Sequence, residues 1–165
     1  MKYRKLLCVL LALALLLALA PMAGAEGDLF FVAVNDTIPV TLTSLPYTSG
    51  GVVYVPYTAF DARPGGVVSA YNATAQTFVL FTKDSRLVFD LATGETSDEN
   101  QNTSTQTALF RNGLLYIPLI FCASHFGLKV SMLESQDGYP VLRFTTGSEV
   151  YDDSLFIEKA ENLIA

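Results

Sequence analysis

Gly51-Val52-Val53-Tyr54-Val55-Pro56 and Asn112-Gly113-Leu114-Leu115-Tyr116-Ile117-Pro118 are two versions of one phrase, an apolar run that stops at a proline. Tyr54-Val55-Pro56 recurs as Tyr116-Ile117-Pro118 at an offset of 62, and the same offset pairs Gly65 with Gly127, Val68 with Val130 and Ser69 with Ser131. After one inserted residue, Phe78-Val79-Leu80-Phe81-Thr82 aligns with Val141-Leu142-Arg143-Phe144-Thr145 at an offset of 63. Self-similarity of this kind is the mark of a structural unit used twice.

Each copy reads as strand, helix, strand, turn, strand. The apolar strand (residues 52–55 or 114–117) runs into a proline that suits the first helical position, where its missing N–H costs nothing. A short helix follows over Tyr57-Thr58-Ala59-Phe60 or Leu119-Ile120-Phe121-Cys122 and stops near Gly65 or Gly127, glycine being the residue that accepts the left-handed C-terminal conformation. Next comes a hairpin: strand 67–71, turn 72–76 and a second strand in the first copy; strand 128–133, turn 134–138 and a second strand in the other.

Residues 29–34 and 37–42 are strand candidates on either side of the turn-forming Asn35-Asp36, and residues 87–91 alternate as a further strand that ends at Gly94. Residues 93–107 hold no large apolar side chain and read as a solvated, mobile loop. The last segment, 152–165, opens on the capping residues Asp152, Asp153 and Ser154, and places Phe156, Ala160, Leu163 and Ile164 on one helical face. It carries no stop signal, so it is expected either to dock on the sheet as the final element or to lead towards a further domain.

The beginning of the chain has a different character. Lys2, Arg4 and Lys5 precede an unbroken apolar run from Leu6 to Ala20, then Pro21 and the small-residue site Ala23-Gly24-Ala25. This is the pattern of a secretory signal peptide cleaved after Ala25, and the run falls short of the roughly 20 apolar residues of a membrane-spanning helix. Cys8 lies near the start of the run with no small residues before it, so lipidation is not expected. Without the leader the formal charge changes from -6 to -9, because three of the ten basic residues leave and all sixteen acidic ones stay. That balance argues against nucleic acid, which needs a basic footprint. Cys122 alone then remains, so no internal disulfide is expected and an apolar core must hold the fold. Asn35, Asn72 and Asn102 stand in Asn-x-Ser/Thr sites, read here as turn residues.

Motifs with defined chemistry are scarce. Neither Gly-x-Ser-x-Gly, Ser-x-x-Lys nor His-Glu-x-x-His occurs. His125, near the end of the second helix, is read as a cation favoured by the helix dipole; as a catalytic base it would need a nucleophile and an orienting acid from elsewhere in the chain. Cys122 takes the place that Phe60 holds in the first copy and is read as core. Asp98, Asn100 and Asn102 match the first three positions of a calcium loop, but Thr103 stands where its glycine belongs and Leu109 where its bidentate glutamate belongs. Glu158 and Glu161 read as the wet face of a helix, and Glu134 and Asp137 as hairpin-turn residues. Tyr47, Tyr57, Tyr71 and Tyr139, at strand ends or loops, are the side chains suited to stacking on sugar rings, although strand tyrosines mostly lie half-buried. No catalytic, cofactor-binding or metal-ligating residue is assigned, and no cofactor is expected.

The paired apolar-Tyr-apolar-Pro segments, each followed by a short helix, a glycine and a strand-turn-strand, resemble the copper amine oxidase N-terminal-like domain, also called a stalk domain in bacterial surface proteins. The resemblance runs from Val34-Asn35-Asp36 through Thr145. It departs from the family's Pro-Leu-Arg, since this chain has Pro56-Tyr57-Thr58 and Pro118-Leu119-Ile120. It implies a small antiparallel sheet with packed helices and a non-catalytic module of exported proteins. It implies no oxidase activity, because the copper ligands of true amine oxidases are histidines of a separate domain and this chain has one histidine in total.

The expectation is therefore an α+β protein: a mainly antiparallel β-sheet built from two related strand-helix-hairpin units, short helices packed on it, and a C-terminal helix. Residues 1–25 form the signal peptide, 26–150 the domain, and 151–165 the final helix or the start of a linker. The expected function is that of a secreted or cell-surface stalk or binding module, with cell-wall glycan or another surface protein as partner and no membrane association after cleavage. The alternative is the accessory part of an exported cell-wall or polysaccharide hydrolase.

Overall fold

The computed structural model describes residues 31–38, 44–61 and 63–164. The signal-peptide reading and most of the strand expected over 37–42 lie outside them. Twelve strands and two α-helices occur among the described residues: β1 (Phe31–Val34), β2 (Tyr47–Ser49), β3 (Val52–Pro56), β4 (Val68–Asn72), β5 (Thr77–Phe81), β6 (Arg86–Asp90), β7 (Thr96–Asp98), β8 (Thr103–Ser104), β9 (Leu109–Arg111), β10 (Leu114–Pro118), α1 (Leu119–His125), β11 (Lys129–Glu134), β12 (Pro140–Thr145) and α2 (Asp153–Ile164). The fold is α+β with mainly antiparallel sheets. β1 beside β12 is the one parallel pair among them.

The strands divide among three sheets rather than joining one: β2-β3-β10-β9, β4-β5-β6-β7-β8 and β1-β12-β11. The two decisive phrases become β3 and β10, and they pair with each other. Val55 faces Ile117, Tyr54 faces Pro118 and Pro56 faces Tyr116, so residues aligned at an offset of 62 are arranged symmetrically about the Val55–Ile117 pair. Each phrase is the second arm of a tight hairpin. Gly50-Gly51 (φ 57° and 78°) joins β2 to β3, and Asn112-Gly113 (φ 52° and 79°) joins β9 to β10. Positive φ at both loop residues is the turn whose twist matches that of the strands. β2 and β9 are absent from the sequence reading, although Gly-Gly and Asn-Gly before an apolar run are the signal for them.

After the prolines the two units differ. Leu119–His125 is α-helical and ends in a paired-bond cap, with Leu128 N–H on Ala123 O at 2.8 Å, Gly127 N–H on Ser124 O at 3.2 Å and Gly127 at φ 67°. Tyr57–Phe60 forms only a 3₁₀ turn, followed by a second one over Pro64–Gly66. The expected mobile loop 93–107 is also corrected. It carries β7 and β8, which extend the five-stranded sheet. The buried Thr96 hydroxyl donates to Gln106 O, and Asp98 Oδ1 closes the turn by accepting the Asn100 and Asn102 N–H groups, both at 2.8 Å. Polar side chains here do the work that apolar ones do elsewhere.

The main core lies where the three sheets converge. Val55, Leu115 and Ile117 come from the first sheet, Phe78, Leu80, Leu87 and Phe89 from the second, and Val32, Leu142 and Phe144 from the third, closed by Leu119, Cys122 and Ala123 of α1. A second, smaller cluster forms on the far side of the third sheet, where Phe156 and Ala160 of α2 meet Ala33 and Val141. The final helix therefore docks, with Asp152 Oδ1 accepting the Leu155 N–H at 2.8 Å as its N-cap. Among the described residues no helix is long and apolar enough to cross a membrane.

Candidate functional site

The four tyrosines singled out in the sequence go to four places. Tyr47 lies against Tyr54 (ring centroids 5.4 Å apart, 15° between planes) and edge-on to Tyr116, with the Arg111 guanidinium 4.2 Å above its ring. The motif tyrosines Tyr54 and Tyr116 thus point away from the main core into a buried aromatic group, and burial pushes the Tyr54 phenol up. Tyr57 is half-buried and edge-on to Phe78. Tyr139, 40% exposed, stands edge-on to Phe31.

Tyr71 is different. It is 54% exposed, and its ring stands 6.3 Å from that of Phe110, itself 56% exposed, at an angle of 73°. Two edge strands supply the pair. Tyr71 sits on β4 opposite Phe78, and Phe110 on β9 opposite Leu115, so both rings stand on the core-facing sides of their sheets at the point where the core opens to solvent. Across the five-stranded sheet Tyr71, Phe78 and Phe89 form one aromatic row, with Tyr57 against its middle member. The outer end of that row is wet and the inner end dry. Phe110 escapes the sequence reading because β9 does; the Asn-Gly turn next to it is the signal that exposes it.

His125, at the end of α1, does acquire a serine and an acid from distant parts of the chain. Ser85 Oγ, in the β5–β6 turn, lies 2.7 Å from His125 Nε2, and Glu99 Oε2, in the β7–β8 turn, lies 3.2 Å from the same nitrogen. The Ser85 hydroxyl donates to that Glu99 oxygen at 3.2 Å, and the Arg86 N–H donates to it at 3.1 Å. In a serine nucleophile's triad the acid sits on the other ring nitrogen, which frees Nε2 to take the serine proton. Here both oxygens crowd Nε2. A carboxylate at that distance is satisfied when Nε2 bears the proton, and the serine proton then points to Glu99. The arrangement is a closed triangle that fastens α1 to two turns of the five-stranded sheet. Its donors hold the Glu99 carboxyl below the usual range, its own backbone N–H first, then Arg86 N–H, then the His125 charge and Ser85.

Several other polar groups close turns or clasp elements. Arg143, 1% exposed, donates Nε–H to Asn35 O (2.8 Å), Nη1 to Asp153 (2.7 Å) and Nη2 to Asp36 (2.8 Å) and Tyr151 O (2.7 Å), and it stacks 4.4 Å above the Phe156 ring. Asp36 is held below the usual carboxylate range by the Val150 N–H first, against the opposing effect of burial, then by the Tyr151 N–H and Arg143. At Asp153 burial acts upward, but hydrogen bonds from Arg143 and Ser131 outweigh it. Asn35 and Asn72 accept backbone N–H groups from Thr146 and Ala75, both at 3.0 Å, and Asn102 donates to Asp98 Oδ2 at 2.8 Å. Glu161 accepts the Gln136 N–H at 2.8 Å and so ties α2 to the β11–β12 turn. Burial pushes the Cys122 thiol up, away from the reactive thiolate. Among the described residues no cluster of three metal-ligating side chains is present.

No family model, curated protein or solved structure matches the chain.

Proposed function

We propose that the chain is a non-catalytic binding module of an exported protein, of the copper amine oxidase N-terminal-like or stalk kind, which engages cell-wall glycan through Tyr71 and Phe110. The observation that carries this reading is the exposed aromatic pair at the junction of two edge strands. Leaving two large rings more than half exposed forfeits burial energy, and aromatic faces in water are suited to the apolar faces of pyranose rings. The buried aromatic row behind Tyr71 fixes its backbone, so little ordering is left for the binding step. The crowding of Ser85 and Glu99 on one nitrogen of His125 supports the non-catalytic part.

The test is retention of the chain from Glu26 onward on insoluble peptidoglycan and a panel of polysaccharides, beside a Tyr71→Ala/Phe110→Ala double variant. Saturable retention reduced at least tenfold in the variant is the expected result. Absence of retention on every matrix, or equal retention by the variant, overturns the reading. Both side chains are too exposed for their loss to unfold the protein, which circular dichroism of the variant checks.

A further inference from the structure

The face of the five-stranded sheet turned away from the core carries a second feature. Phe78, Leu80, Leu87 and Phe89 point inward, so their neighbours Val79, Phe81, Arg86 and Val88 point outward. Phe81 stands directly opposite Arg86 on this outer face, and the β5–β6 turn rises beside them to give an open cavity of about 450 Å³. Its floor is Val79 and Phe81, the latter 38% exposed, and its wall carries Lys83, Asp84, Arg86 and Glu99.

The charges there are unequally committed. Glu99 is occupied by Ser85, the Arg86 N–H and His125. Lys83 and Arg86 have no side-chain hydrogen bond or ion pair among the described residues, and neither does the Asp84 carboxylate. Two free cations therefore face one free anion beside an exposed aromatic ring, in a chain whose overall charge is -6. A guanidinium matches an acid group with two parallel hydrogen bonds, an ammonium adds a point charge, and a phenyl face accepts the apolar side of a sugar ring.

We propose that this cavity binds a singly acidic sugar residue, its ring on Phe81 and its acid group between Arg86 and Lys83. Asp84 sets the limit to one negative charge, so polyanions are disfavoured. The site shares a ligand class with the proposed function but none of its residues, and each can fail without the other.

The test is a titration of the ¹⁵N-labelled protein followed by its amide resonances. A trimer of two galactose residues and one galacturonate, which carries a single carboxylate, is the acidic probe, neutral galactose trimer the control, and glucose 6-phosphate and tripolyphosphate the phosphate arms. Expected are shifts centred on residues 79–86 and 99 with the acidic trimer, binding at least tenfold weaker with the neutral trimer, and a tenfold loss in Arg86→Gln and in Phe81→Ala. Tyr71→Ala binds the acidic trimer as the unaltered protein does. Lys83→Gln, at an exposed turn position, gives a smaller loss and covers the case in which another variant fails to fold. Glucose 6-phosphate binding at the same residues places the acid group's identity second to its charge. Equal binding of the neutral trimer, tighter binding of tripolyphosphate than of either single acid, or no shift at residues 79–86 with any probe overturns the proposal.

Discussion

The hairpins β4–β5 and β11–β12 carry aligned residues and turn them opposite ways. Val68 pairs with Phe81 and Val130 with Phe144, as the sequence match requires. Yet Phe81 is 38% exposed on the outer face, whereas Phe144 is fully buried in the main core and stacks on Phe60 at 5.5 Å. On the next pair the relation inverts: Leu80 is core, and the aligned Arg143 lies on the face turned to α2. Inward-facing residues correspond at an offset of 64, Phe78 with Leu142 and Leu80 with Phe144, one residue away from the sequence match. In a strand one residue is one face. The difference follows from what lies behind each hairpin. β12 has β1 on one side, β11 on the other and α2 beneath it, so both of its faces are covered; β5 has solvent on its outer face.

The widest break of this comparison is a pair of truncations at the aligned phenylalanines. Phe144→Ala is expected to cost about 4 kcal/mol, the range for a buried aromatic ring, whereas Phe81→Ala is expected to stay under about 1 kcal/mol. Urea unfolding of both variants measures it, and equal losses would mean that the two hairpins face alike.

Arg143→Leu gives the second hairpin the residue that the first one has. It removes the donors of Asn35 O, Tyr151 O, Asp36 and Asp153 together, and is expected to cost about 3 kcal/mol at neutral pH, as for one partner of a buried pair. The pH dependence sharpens the test. Asp36 and Asp153 are depressed in the folded state, so their contribution is fully present above the ordinary carboxylate value near 4 and is lost as pH falls through their folded values. The unaltered protein should therefore lose stability below about pH 4, and Arg143→Leu should show a flatter acid limb. Thermal melting between pH 2 and 7 reads both.

Gly65 and Gly127 form an aligned pair of smaller effect. Both have positive φ, 62° and 67°, but a Cβ at Gly65 would lie 3.0 Å from Leu128 Cδ2, whereas one at Gly127 would meet nothing within 4 Å. Gly127→Ala is expected to cost about 1 kcal/mol for the left-handed backbone alone, and Gly65→Ala about 2 kcal/mol because Leu128 must also shift. A larger cost at Gly127 than at Gly65 would reverse the assignment of which unit bears on the other.

What could be read in advance follows from the range of each signal. Strand and helix existence is local: the apolar phrases, the prolines and Gly127 specify β3, β10 and the end of α1 directly. Three features depend on long-range pairing. The division into three sheets rests on β1 joining β12 from more than a hundred residues away. The strands β7 and β8 lie in a stretch of Thr, Ser, Asn and acid whose polar bonds replace apolar burial. The one-residue turn of the second hairpin needs a covering helix that sequence similarity between strands does not register. For the candidate site Tyr71 is legible only as one of four tyrosines at strand ends or loops. Phe110 and the Ser85–Glu99 approach to His125 are not legible, because each joins segments without a common local pattern.

His125 supplies the smallest test and the one that bears on how the two units are joined. At an offset of 62 it aligns with Arg63, which is exposed between the two 3₁₀ turns of the first unit, with φ 52°. The second unit's helix is a true α-helix, and its last residue reaches across to Ser85 and Glu99 of the five-stranded sheet, while the first unit's weaker helix offers no such bond among the described residues. His125→Asn should therefore loosen one contact, at about 1 kcal/mol, the net worth of an ordinary hydrogen bond. Amide exchange should quicken selectively in residues 82–86 and 98–102, with β11 and β12 unchanged. Removing the clasp frees Glu99 from one of its partners, and 1 M salt should narrow the gap between variant and unaltered protein by screening what charge attraction remains. Exchange that quickened evenly over the whole molecule would show that His125 serves global packing and not the junction between α1 and the five-stranded sheet.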